Sequence, residues 1–476
     1  MTKPQTPYTG PEICALEAHE VVALLRKGEV SPVELLEASR ARVEATEPAI
    51  NAMPTTCWER AADAKFDAEA DHHAWLAGLP MGIKDLTTVA GVRTTFGTKG
   101  LENFIPKASD PLVERLEARG GIVVGKTNTP ELGAGGNTFN DVFGATLNPW
   151  NTRKNAGGSS GGAAAGLATG QVWLSHGSDH GGSLRTPAAY NGIVGMRPSP
   201  GRAGGSGPDA AFMIEGAQGP MARSVTDCAL FLDAMAGFEP RFPTSYPAPD
   251  TPYTESVQHV PTRPRMAFAP DLNGFCPVDA DMADHLAGAM TTLEGQGAVV
   301  QEVKPDTKGL YETYHTLRGM MWAVGVAALP PGVRPHFKKT LEENTQFGLD
   351  MEADRIFRAQ TMRSRLYREM LGLFDHFDVL ALPVVGCMAH DQSVEWVDEI
   401  GGEKLPHYMD WLRFSFLATV TGLPALSVPV GFRNAMPVGL QLIGRPRDEA
   451  GLLQMGRFVE LAMGGPNTPI DPVIGY

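Results

Sequence analysis

Serine cleaves a carbonyl–heteroatom bond only when a neighbour takes its proton and N–H groups hold the oxyanion that forms. Two stretches of this 476-residue chain set serines in such company. Asn155–Gly166, NAGGSSGGAAAG, holds Ser159 and Ser160 between glycine pairs, ahead of an alanine-rich run with helical character. Gly177–Pro187, GSDHGGSLRTP, sets Ser183 after another glycine pair, where missing side chains let successive N–H groups converge on one oxygen. GLPMGIKD places Lys84 at the end of an apolar strand, where burial lowers a lysine's pKa until the neutral amine can accept a proton. Ser159 and Ser183 are 24 residues apart. That spacing accommodates the helix GGAAAGLATG and the strand QVWLSHG, which can bring both serines to one sheet edge. Each piece alone also reads as a structural turn; their agreement is what favours a site.

Two other motifs compete. Gly120–Thr127, GGIVVGKT, satisfies G-x-x-x-x-G-K-[ST], the pattern of a nucleotide phosphate loop, but its central residues have the character of a buried strand and no helix follows at once. Gly157–Gly161 and Gly158–Gly162 each satisfy G-x-S-x-G, and His315, His336, His390 and His407 follow as partners for a nucleophile elbow. The sequence entering that turn, NPWNTRKNAGG, is polar where an elbow needs an apolar strand.

The elements that must position these residues alternate. LPMGIKD, GIVVGKT and QVWLSHGSD read as strands, and DPLVERLEARG and the Ala/Gly run read as helices. AVVQEV, FDVLALPVV, PALSVPVGF and PVGLQLIGRP read as later strands, and DEAGLLQMGRFVELAM as a closing helix. The expected fold is α/β: a single α/β/α domain with a mixed, mostly parallel central sheet covered by helices. An N-terminal tail and helical arm occupies 1–78, and the main domain 79–476 has its catalytic core at 79–237. In the arm, Ser31-Pro32-Val33-Glu34 is a helix start. A further helix is expected over Trp58–Ala77, with His72-His73 on its exposed face.

Composition narrows the function. The net charge is -14 with Lys and Arg scattered, which argues against nucleic acid or an anionic membrane as partner. No run reaches the ~20 apolar residues of a membrane span. The five cysteines are far apart, with no metal-binding spacing, and fit reduced cytoplasmic thiols; no metal or organic cofactor is expected.

GLPMGIKD, VVGKTNTPE, FGATLNPWN, AGGSSGGAAA, GSDHGGSLRTPA, GIVGMRPS, GPMARSVTD, TGLPALSVPVGF and PVGLQLIGRP together, in this order, resemble the amidase signature family over nearly the whole chain. The resemblance implies hydrolysis of a carboxamide C–N bond through a Ser-cisSer-Lys triad: Ser183 as nucleophile, Ser159 as the cis-serine and Lys84 as base. It implies an oxyanion hole from the backbone of His180, Gly181, Gly182 and Ser183, with Asp179 and Arg185 paired behind it and Ser160 supporting the lysine. The loop LGAGGNTFN matches the family's substrate-facing loop, making Gly135, Gly136 and Asn137 pocket candidates, together with Gln218. Tyr311, Tyr314 and Trp322 are expected in the core rather than in the pocket wall. His180 departs from the family's more frequent threonine, with its side chain expected to be only tolerated. The resemblance leaves aryl amide, ester and carbamate substrates open, and a homodimer is the expected assembly. The alternative is the glutamine-hydrolysing component of a tRNA-dependent amidotransferase, against which stands GSDHGGSLRTP, where that subfamily resembles GSDTGGSIRQP.

Overall fold

The computed structural model describes residues 6–66, 72–205 and 207–475. The main sheet has eleven strands among these residues: β1 Thr55–Thr56, β2 Pro80–Lys84, β3 Ile122–Thr127, β4 Leu174–Asp179, β5 Val194–Arg197, β6 Ala217–Ala222, β7 Arg265–Phe268, β8 Val299–Glu302, β9 Val379–Pro383, β10 Ala425–Arg433 and β11 Met436–Ile443. Their order across the sheet is β1-β3-β2-β4-β6-β5-β10-β11-β9-β7-β8.

The sheet is mixed and helix-covered, as expected, but it is not mostly parallel. Parallel neighbours are β2–β3, β2–β4, β7–β9 and β7–β8; all the others are antiparallel. The expectation failed because central strands covered on both faces read as continuous apolar runs whichever way they point. In β9, Val379 and Ala381 enter one core cluster while Leu380 and Leu382 enter the cluster on the opposite face. Direction is set instead by connections such as the tight β10–β11 hairpin, whose Asn434 and Ala435 take φ of 50° and 61°. Two-residue hairpin turns require such left-handed pairs.

The predicted helix starts form through their side chains. Ser31 Oγ accepts the Glu34 N–H at 3.3 Å while the Glu34 carboxylate accepts the Ser31 N–H at 2.8 Å, capping Pro32–Ile50. Asp110 Oδ1 caps Pro111–Ala118 by accepting the Leu112 N–H at 2.8 Å. The Pro32–Ile50 helix is tied down by Arg42, buried and bonded to the Ile470 carbonyl at 2.7 Å and to Asp471 at 2.7 Å. The expected Trp58–Ala77 helix runs only over Trp58–Ala62, and residues 67–71 of that span lie outside the described residues. His72 and His73 are exposed, as expected, but lie at a turn with stacked rings rather than on a helix; Ala77 and Gly78 there take φ of 55° and 96°. Among the described residues no helix is long and apolar enough to cross a membrane.

Candidate active site

Parallel pairing of β2 with β4 brings the strand ends Lys84 and Asp179 to the same sheet edge. Ser159 and Ser160 immediately precede the Gly161–Ala168 helix, and Ser183 precedes Arg185–Asn191. This first helix lies close against neighbouring backbone: a Cβ on Gly162 would sit 2.3 Å from the Asn128 nitrogen and 2.4 Å from the Ala52 carbonyl oxygen. The two serine segments are joined where the Ser160 N–H donates to the Ser183 carbonyl at 3.3 Å. The peptide between Gly158 and Ser159 is cis.

Lys84 is fully buried. Its amine donates to Ser159 Oγ at 2.7 Å, Ser160 Oγ at 2.9 Å and Ser178 Oγ at 3.1 Å, with the Ser178 carbonyl at 3.4 Å. Burial brings its pKa down from 10.5 to about 7, opposed by the charge of Asp179. An amine half-deprotonated near neutrality and 2.7 Å from a serine oxygen can exchange a proton with it. Ser183 is half-buried and lines the same cavity as Ser159.

The turn before Ser183 is built on Asp179. Its Oδ1 accepts the Gly182 N–H at 3.2 Å and its Oδ2 the Leu184 N–H at 3.0 Å. Arg185 grips it bidentately at 2.8 and 3.0 Å, and Arg197 lies at 3.5 Å. Burial alone would raise the Asp179 carboxyl, but these guanidinium groups hold it well below the usual carboxylate range. Gly182 has φ of 94°, a conformation that disfavours any side chain. Of the four N–H groups expected to face an oxyanion, that of Gly182 is therefore given to Asp179. Those of Gly181 and Ser183 donate to no protein acceptor among the described residues.

The cavity, about 270 Å³, carries an apolar wall of Leu86, Leu132, Met321, Trp322, Met409 and Leu412. Gly135 and Gln218 line it, and Gln218 Oε1 accepts from His176 Nε2 at 2.8 Å, on a ring that burial holds neutral with a pKa of about 3. Gly136 and Asn137 do not line it. A Cβ on Gly136 would meet Trp411 at 2.4 Å, and the Asn137 amide donates to the carbonyls of Gln392 and Val394 at 3.0 and 2.9 Å, so both hold the loop in place. Trp322 is buried in a small core cluster with Ala134 and Leu341, as expected, and also lines the cavity; Tyr314 is core, stacked on Phe416 at 3.5 Å, and Tyr311 is half-buried outside the cavity. His180 also lines it, with burial and the charge of Arg318 depressing its pKa.

Both competing motifs dissolve in this geometry. Lys126 is buried in β3 and bonded to Asp85 at 3.0 Å, the Thr87 carbonyl at 2.8 Å and Thr94 at 3.0 Å, with no free face for a phosphate. The strand entering the serine turn, Asn151–Asn155, belongs to a small separate hairpin, and Ser159 meets Lys84 rather than a histidine. Sequence reasoning missed Ser178 and Arg318. Ser178 had a signal, since it adjoins Asp179 at the end of a strand paired beside Lys84; Arg318 had none, because only the folded helix Leu310–Ala328 brings it to the cavity.

Fold and site together define the class: an enzyme with a helix-covered mixed sheet and a buried Ser-Ser-Lys cluster opening on an apolar cavity. The chain belongs to the amidase family, whose sequence pattern matches residues 34–453, and is an amidase acting on C–N amide bonds. It is 34% identical over 494 residues to a glutamyl-tRNA(Gln) amidotransferase subunit from Anaeromyxobacter dehalogenans, covering 97% of this chain and 99% of that protein. Among solved structures it is similar to a bacterial aryl acylamidase of the amidase signature enzymes, with a TM-score of 0.86, 26% identity and coverage of 95% and 97%. A 6-aminohexanoate cyclic dimer hydrolase superposes with a TM-score of 0.84, 27% identity and coverage of 95% and 97%.

Proposed function

We propose that this enzyme hydrolyses a small carboxamide through an acyl-enzyme on Ser183. The observation that carries the proposal is the buried Lys84 amine 2.7 Å from Ser159 Oγ, with a pKa of about 7. Neutral Lys84 takes the Ser159 proton as Ser159 takes that of Ser183, whose oxygen attacks the carbonyl carbon. The oxyanion rests against the Gly181 and Ser183 N–H groups. Ser159 then returns its proton to the departing nitrogen, without which an amide anion would have to leave. Water enters, gives its proton to the same relay and releases the acid. Asp179 and Arg185 keep the glycine turn in shape, and Ser160 and Ser178 orient the amine. The cytoplasm is the compartment we assign, in keeping with five free cysteines, and a homodimer is the assembly we expect.

A second reading has specific support: the chain aligns along nearly its full length with amidotransferase subunits, with 34% identity, above its 26% to the aryl acylamidase. There the amide is that of glutamine and the protein works within a complex. The run of apolar side chains along the cavity wall favours an independent amidase whose substrate carries apolar groups besides its amide. The test is hydrolysis of glutamine, an aliphatic amide, an aryl amide, a carbamate and an ester by the purified chain and by Ser183→Ala. Turnover of a non-glutamine amide by the chain alone, lost in the variant, supports the first reading. Turnover confined to glutamine, with a copurifying partner, establishes the second; turnover surviving in Ser183→Ala defeats both.

A further inference from the structure

Arg318 sits at the cavity with its charge unanswered. It is 3% exposed, yet lines the same cavity as Ser159 and Ser183. Its guanidinium donates to the Tyr408 hydroxyl at 2.6 and 3.2 Å and comes within 3.5 Å of His180 Nδ1, and no carboxylate among the described residues pairs with it. The aromatic faces of Trp322 and Tyr408 lie 5.5 and 5.6 Å from it. Asp110, which also lines the cavity, caps a helix by accepting the Leu112 N–H at 2.8 Å, and three other carboxylates are already paired. Asp179 is held by Arg185 and Arg197, Glu215 by Arg363, and Glu395 by Lys338 at 2.8 Å.

Polar atoms around Arg318 are also unsatisfied. His180 Nε2, Tyr314 Oη and Trp322 Nε1 are buried without a hydrogen-bond partner, and Tyr314 and Trp322 are themselves more than nine-tenths buried. Tyr314 Oη lies directly beneath the glycine turn, where a Cβ on Gly181 would meet it at 2.5 Å. A buried guanidinium without a counter-ion costs stability, a cost that persists where a ligand supplies the missing charge.

We propose that the substrate is an amide bearing a carboxylate, and that Arg318 binds this carboxylate beside the scissile bond. The inference rests on the reading of Ser183 as nucleophile for which end of the cavity reacts, but not for the binding itself. A planar guanidinium fork flanked by apolar side chains takes a carboxylate through two parallel N–H···O bonds. The helix Leu310–Ala328 thus presents the recognition group, while β2, β4 and the serine turns present the reacting ones. Glutamine falls within this class, as do monoamides of dicarboxylic acids; neutral anilides do not.

Binding is measured by calorimetry on Ser183→Ala, using the monoamides of succinic, glutaric and adipic acids, each against its neutral diamide. The acid of at least one pair is expected to bind about 10- to 100-fold more tightly than its diamide. Adding Arg318→Met should erase that preference, and Arg318→Lys should keep part of it. Arg318→Met should also melt no lower than the parent, whereas a merely structural arginine would lower the melting temperature. A preference that is missing in every pair, or that survives Arg318→Met, overturns the proposal. Because the readout is binding, a failed Ser183 assignment, seen separately as failure of the wild type to be labelled there, leaves this result standing.

Discussion

Replacing Lys84 by methionine keeps an unbranched side chain of similar length in the same place and removes the amine. In the unfolded chain that amine carries the ordinary pKa of 10.5, and burial in the folded site lowers it to about 7. Between these values the unfolded state binds more protons at Lys84 than the folded state does, so this residue's contribution to stability becomes more favourable as pH rises. At about 1.36 kcal/mol per pH unit, keeping Lys84 buried at pH 7 costs about 4 kcal/mol relative to strongly alkaline solution, and about 2 kcal/mol of that is recovered by pH 9. Wild type and Lys84→Met should therefore differ in unfolding free energy by an amount that moves about 2 kcal/mol in favour of the wild type from pH 7 to pH 9. Urea denaturation of both proteins at a series of pH values measures this, since the other titrating groups are common to both and cancel in the difference. A gap that does not change with pH, or that moves against the wild type, refutes the reasoning, because it requires Lys84 to keep its proton in the folded state.

Other consequences follow from the same contacts. The pH profile of kcat/KM should rise through a midpoint near 7 as Lys84 loses its proton, and Lys84→Met should lower kcat/KM by about 10²–10⁴-fold at any pH on the plateau. Ser159→Ala should depress amide hydrolysis more than hydrolysis of the matching ester, because an alkoxide departs with less need of a proton than an amide nitrogen does; steady-state rates on such a pair decide it. Asp179→Asn leaves Arg185 and Arg197 buried without their counter-charge and should cost about 3–5 kcal/mol, read from urea midpoints.

Much of the site was legible because it lies at chain positions where local signals are strong. Lys84 closes a fully apolar strand, the serines sit in glycine-rich turns ahead of helices, and Asp179 and Arg185 are six residues apart across one such turn. Strand direction was not legible. β9 is apolar on both faces, β10 and β11 are buried on both with only Ser427 and Gln441 as buried polar interruptions, and nothing in such a run distinguishes a parallel neighbour from an antiparallel one. Gly136 and Asn137 shared the glycine-rich loop with Gly135, but the burial of Trp411 against Gly136 and the carbonyls of Gln392 and Val394, more than 250 residues along the chain, decide which of the three faces the cavity. Arg318 was hidden for the same reason. On its helix it resembles any arginine, and its isolation from carboxylates exists only in three dimensions.

The central claim is that Ser183 carries the acyl group. Intact-mass spectrometry of the wild type and Ser183→Ala after exposure to phenylmethylsulfonyl fluoride, followed by peptide mapping of the adduct, tests it most directly. The wild type should carry one sulfonyl group, located at Ser183, and the variant none. An adduct that persists in Ser183→Ala, or that maps to Ser159 or Ser160, contradicts it.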